Sequence, residues 1–92
     1  MGTFHDTQDP LHGITVVARS GNTVYVGRCH ERDERRIVLH DADRHDEGDE
    51  GRTISEYLDR AVKFGVWKKY DRLELEQAQI EELVPLNALA AD

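Results

Sequence analysis

Residues 21–43, GNTVYVGRCHERDERRIVLHDAD, decide the fold of this chain. The stretch reads as two strands around a charged turn. In TVYVGRCH, Val24, Val26 and Arg28 project to one side and Tyr25, Gly27 and Cys29 to the other, because side chains on a strand alternate between faces. Its β-branched content suits a pleated, half-buried surface. Gly27 weakens the strand locally and marks a bend, a bulge or a close backbone approach. Strong bending is what lets a short sheet close into a barrel. After the turn ERDER, the run RIVLHDA is a further strand, centred on Ile37, Val38 and Leu39.

Upstream, ITVVAR at 14–19 is β-branched and apolar and predicts the preceding strand. Gly21-Asn22 joins the two strands, a dipeptide that tolerates positive φ at both positions of a two-residue hairpin. Residues 13–43 are therefore a three-strand meander, preceded by a loose polar arm at 1–12. Downstream, Asp41, Asp43, Asp46, Glu47, Asp49 and Glu50 face a single base, Arg44. Such a run repels itself, and 44–52 is expected as an exposed acidic loop.

Thr53 and Glu56 have the spacing of a capping box, and Ile54, Tyr57, Leu58, Ala61 and Val62 recur at helical period. Together they predict a helix over 53–64, closed by Gly65. Extended character resumes over 66–84, with Leu73 and Leu75 on one face, while Ile80, Leu83 and Val84 fit a strand or a helical turn. Pro85 precedes a tail at 86–92. Three strands, an inserted amphipathic helix and two short strands predict one mainly β domain over 1–92, a small five-stranded barrel of the SH3 type.

At 92 residues a lone core is marginal, and association between copies is one way to bury more surface. Twelve basic residues against nineteen acidic ones give a net charge of −7, the wrong sign for a protein that coats phosphate backbones. A single cysteine, Cys29, excludes an intramolecular disulfide and fits a reducing, cytoplasmic setting. No apolar run is long enough to span a membrane, and MGTFHDTQDP lacks the basic start and apolar core of a secretory signal. Asp6 stands where the myristoylation pattern wants Ser or Thr. No membrane partner, cofactor or small-molecule substrate is indicated.

Asn22, Gly27, Asp33, the run Ile37-Val38-Leu39 and the step Asp41-Ala42 resemble the first motif of the Sm-like (LSm) family. The resemblance covers residues 14–43, and more loosely 72–84. It implies the Sm-like barrel and ring assembly through edge-strand pairing, with RIVLHDA or the final IEELV as an edge. It also implies, at specific positions, contact with single-stranded RNA. Where the family has an RNA-binding asparagine after the aspartate, this chain has Arg35-Arg36, and Gln77-Ala78 stands in place of the second motif's Arg-Gly pair. The residues the resemblance offers to RNA are Asp33, Arg35, Arg36 and Gln77. With these substitutions and a negative net charge, the expected function is an intracellular structural or scaffolding module that forms a homo-oligomer, without catalysis. The alternative is a ring that binds single-stranded RNA.

Other side chains are weighed against plainer roles. Arg28, Arg32, Arg35 and Arg36 alternate with Glu31, Asp33 and Glu34, so the basic patch nearly neutralises itself. Tyr25, Trp67 and Tyr70 are the candidates for base stacking, although Trp67 also fits a core or subunit contact. His40, Asp41, Asp43 and His45 carry the imidazole and carboxylate groups that ligate divalent metals. A calcium loop counted from Asp41 has Asp46 at its glycine position and Arg52 at its final acid, so that template fails and no metal is expected. Cys29 and His30 are strand neighbours on opposite faces and cannot act as a nucleophile–base pair; Cys29 is expected as a small buried hydrophobe.

Overall fold

A computed structural model describes residues 11–89. Five strands, β1 (Thr15–Ser20), β2 (Thr23–Arg32), β3 (Arg36–Asp46), β4 (Tyr70–Glu76) and β5 (Glu82–Pro85), form one antiparallel sheet in the order β4-β3-β2-β1-β5. A helix, α1 (Ile54–Phe64), is inserted between β3 and β4, and a single turn, α2 (Leu86–Leu89), follows β5. Of the expected arm only residues 11 and 12 are described, and of the tail only Leu86–Leu89; the rest lies outside the described residues.

The sheet is bent by local chemistry. Ser20 pairs with Thr23 across Gly21-Asn22, and only Gly21 has positive φ, 59°. That is the pattern of a type II′ turn, where one positive φ suffices instead of two. Further along, β2 and β3 slip register twice, between Val26 and Arg28 and between Cys29 and Glu31. At the first slip Asp41 adopts φ 51°, and its carboxylate meets the Arg28 guanidinium at 3.1 Å. Bulges of this kind bend a strand and increase its twist.

Bending gives the sheet two buried faces. On the inner face Val16, Ala18, Cys29, Ile37, Leu39 and Leu75 form one core. On the outer face Val17, Val24 and Val26 pack beneath Ile54, Tyr57 and Leu58 of α1. This explains why Val16, Val17 and Ala18 are all buried, a continuous run instead of alternation. Burial of Val24 or Val26, each fully inaccessible, contributes about 1.5–3 kcal/mol.

The helix is fixed at both ends. Thr53 Oγ1 accepts the Glu56 N–H at 3.1 Å while the Glu56 carboxylate accepts the Thr53 N–H at 2.9 Å, the reciprocal capping box. Glu47 adds a second carboxylate, accepting the Ile54 N–H at 3.0 Å. At the other end Gly65 takes φ 92° and donates to the Ala61 carbonyl at 2.9 Å.

Three expectations need correction. The acidic segment expected as a loop from residue 44 is still β3 as far as Asp46, because Asp43 and His45 are buried with polar partners that make the strand tolerable. RIVLHDA is not an edge, since β3 lies between β2 and β4; the edges are β4 and β5, and β5 falls within the expected IEELV. Of the two plainer roles expected for Trp67, the core is excluded and the subunit contact is not: the side chain is 74% exposed in the extended segment before β4.

Candidate nucleic-acid interface

Asp33 begins the turn between β2 and β3 and builds it with its own side chain. Its Oδ1 accepts the N–H of Arg35 at 2.8 Å and of Arg36 at 2.9 Å. Its own N–H donates to the Arg36 carbonyl at 2.9 Å. Self-bonding of this kind is why aspartate favours tight turns. The two backbone donors, first Arg35 and then Arg36, favour the ionised carboxylate and hold Asp33 below its ordinary value.

The link between β4 and β5 is a single 3-10 turn, Gln77–Gln79. Gln77 donates its backbone N–H to the Arg35 carbonyl at 2.9 Å and its side-chain amide to the Asp33 carbonyl at 3.0 Å. The structure thus brings Asp33, Arg35, Arg36 and Gln77 together at one end of the sheet, joining two turns that are far apart in sequence.

Most of this cluster's polar capacity is used internally. The Asp33 carboxylate shapes its turn, the Gln77 amide ties the turns together, and the Arg36 guanidinium meets Glu74 at 3.2 Å. Arg28 is paired with Asp41, as noted above. The Arg35 guanidinium makes no short ion pair or hydrogen bond with the described residues, and its charge acts on the Asp33 carboxylate of the same turn. The aromatic candidates lie elsewhere. Tyr25 packs against the inner core with the Arg44 guanidinium 6.0 Å from its ring centre, and Tyr70 sits opposite Ala42, well along β3 from the turn.

The metal candidates disperse into separate partnerships. His40 stacks on His30, with ring centres 4.1 Å apart and 15° between planes. Asp41 pairs with Arg28. The Tyr57 hydroxyl donates to Asp43 Oδ2 at 2.9 Å, and His45 Nε2 lies 3.0 Å from the Arg52 carbonyl while its ring stacks on Tyr57 at 4.4 Å. Burial first, and then the neighbouring Asp43 carboxylate, push the Tyr57 hydroxyl well above the ordinary tyrosine value. Among the described residues no three His, Cys, Asp or Glu side chains form a group that could hold a metal. Cys29 is fully buried in the inner core.

Sequence reasoning missed the partners rather than the candidates. Tyr57 was legible as part of an apolar stripe, and the one hint of its second role is that a buried tyrosine hydroxyl needs an acceptor. Glu74 and Lys69 carried no local signal for their pairing with Arg36 and Asp43.

No protein-family model matches the sequence, and no curated protein matches it significantly. Among solved structures, the fold is similar to that of a Pyrococcus abyssii Sm protein in complex with a uridine heptamer. The two share 16% identity and a TM-score of 0.59, over 88% of this chain and 94% of that one. The chain has the Sm-like fold, with a helix inserted between its third and fourth strands.

Proposed function

We propose that this chain is an intracellular structural module that assembles with copies of itself, β4 of one subunit pairing with β5 of the next. The observation that carries the reading is the strand order. It leaves β4 and β5 as the two edges of a bent sheet, each paired on one side only. Unpaired edge N–H and C=O groups invite a further strand. Because the two edges differ, pairing is head to tail, and it closes into a ring when the rotation per subunit closes. Repulsion from acids on β4 is reduced, since Glu74 is met by Arg36 at 3.2 Å and by Arg72 at 2.8 Å. The buried thiol of Cys29 suits a reducing, cytoplasmic compartment. Hydrogen–deuterium exchange tests the pairing. Slow exchange on both β4 and β5 supports it, and rapid exchange along β4 at concentrations where the other strands are protected contradicts it.

The convergence of Asp33, Arg35, Arg36 and Gln77 favours a second reading, in which the assembly contacts single-stranded RNA at these turns. Likeness to an Sm protein seen with a uridine heptamer supports it. The internal use of three of the four side chains, and the net charge of −7, support the structural reading instead. Filter binding to short A-rich and U-rich RNA at low and physiological salt separates the two. The structural reading expects weak binding that salt abolishes. Tight binding lost in the Arg35→Ala, Arg36→Ala variant would establish the second.

A further inference from the structure

A cleft of about 810 Å³ opens between α1, the end of β3 and the segment before β4. Its volume is in the range of small-molecule sites. Three of its features are unusual for this chain. The first lies deep in the cleft: Asp43 is 6% exposed, and its Oδ1 has no hydrogen-bond partner. The Lys69 ammonium stands 3.8 Å from that oxygen, near enough for charge attraction but beyond a hydrogen bond. A buried acceptor left unmade costs free energy and requires an explanation.

The second feature is the rim, where Phe64 is 75% exposed and Trp67 is 74% exposed. Large flat apolar rings held in water offer a stacking surface. The third is charge. Four basic side chains and three acidic ones line the cleft, against twelve and nineteen in the whole chain, so the local balance reverses the global one. Arg60 lies 5.5 Å from the Phe64 ring centre, so a cation and an aromatic face are presented together.

We infer that this cleft binds a nucleotide, whose base stacks on the aromatic rim and donates an N–H to Asp43 Oδ1 while its phosphate meets Arg60, and Arg52 in exchange for the exposed Glu50 carboxylate now 3.5 Å from it. The donor takes the place of the Lys69 ammonium, which is on a side chain more than half exposed. Free nucleotides and the residues of an RNA strand share this chemistry. The site is separate from the Asp33–Gln77 turns and depends on neither reading of them.

Trp67 is the one tryptophan of the sequence, so its fluorescence reports on the cleft alone. Titration of the full chain with GMP, AMP and UMP is expected to quench it saturably, with Kd below about 1 mM for at least one of them. Ribose 5-phosphate, which has the charge without the base, is expected to bind at least tenfold more weakly, a gap that Asp43→Asn narrows but does not close, because stacking on the rim remains. Arg60→Glu, on the exposed face of α1, is expected to weaken binding about tenfold without disturbing the fold. Circular dichroism checks that the Asp43→Asn variant is folded, and Arg60→Glu carries the test if it is not. A short oligonucleotide that quenches more strongly than any mononucleotide would assign the ligand to a strand. The inference is overturned if ribose 5-phosphate matches the nucleotides, or if none of these probes quenches. It is equally overturned if Trp67 emission responds only to protein concentration, which would assign the aromatic rim to a second copy of the chain.

Discussion

Gly27 and Ala42 are in closer contact than any other residue at position 27 would allow. A β-carbon built on Gly27 stands 2.7 Å from the Ala42 Cβ, 3.0 Å from its Cα and 3.1 Å from the His40 carbonyl oxygen. Two of those neighbours are backbone, which cannot move without disturbing the bulge at Asp41. Gly27→Ala should therefore destabilise the fold by about 1–3 kcal/mol, as overpacking does. Urea unfolding measures it. Adding Ala42→Gly removes the nearest atom, so the double variant should recover part of the loss, a coupling that a double-mutant cycle reads directly.

Thr53→Ala removes one arm of the capping box at the start of α1. The expected cost is about 1 kcal/mol, or a fall in Tm of about 4–8 °C for a domain of this size. Glu47→Gln, which keeps an acceptor for the Ile54 N–H but loses the charge at the helix N-terminus, should cost less. Thermal melts of the two variants rank them. An equal or greater loss in Glu47→Gln would mean that Glu47 and not Thr53 sets the helix start.

Tyr57→Phe keeps the apolar stripe of α1 and deletes the donor to Asp43 Oδ2. Both oxygens of a buried carboxylate are then without a hydrogen bond among the described residues. A loss of about 1–3 kcal/mol is expected by chemical denaturation. Tyr57→Phe, Asp43→Asn should not cost the sum of its two single changes, because both act on one contact.

Acid should weaken the turn at Asp33. The folded-state pKa of this carboxyl lies below its ordinary 3.8 because the Arg35 and Arg36 N–H groups bond the ionised form. A depressed carboxyl contributes stability above its unfolded value and loses it as pH falls through the folded value. Melts of the wild type and Asp33→Asn should therefore converge as pH falls beneath the ordinary carboxyl value of 3.8, with the wild type more stable at neutral pH. Parallel curves across the whole range would show that the two backbone bonds do not depend on charge.

What the sequence makes legible follows from how local each cause is. The hairpin at Gly21-Asn22, the bend at Gly27 and the capping box at Thr53 and Glu56 are each written within a few residues, and each is present in the structure. The end of β3 is not local. Asp43 and His45 look like loop residues until Tyr57 and the Arg52 carbonyl are placed beside them, and helix packing supplies those partners. The same holds for the candidate RNA residues. Resemblance could name Gln77, but that its amide reaches Asp33 depends on the sheet bringing the β4–β5 turn against the β2–β3 turn. Of the two edges the sequence offers, IEELV holds as β5, while β3 ceases to be an edge only once β4 returns along it after an inserted helix.

Light scattering after size exclusion tests the central claim, that β4 and β5 join copies of the chain head to tail. One chain weighs 10.5 kDa. The account predicts a single species whose mass is a whole-number multiple of that value and constant across dilution, as a closed ring requires. A mass of 10.5 kDa at tens of micromolar would contradict it.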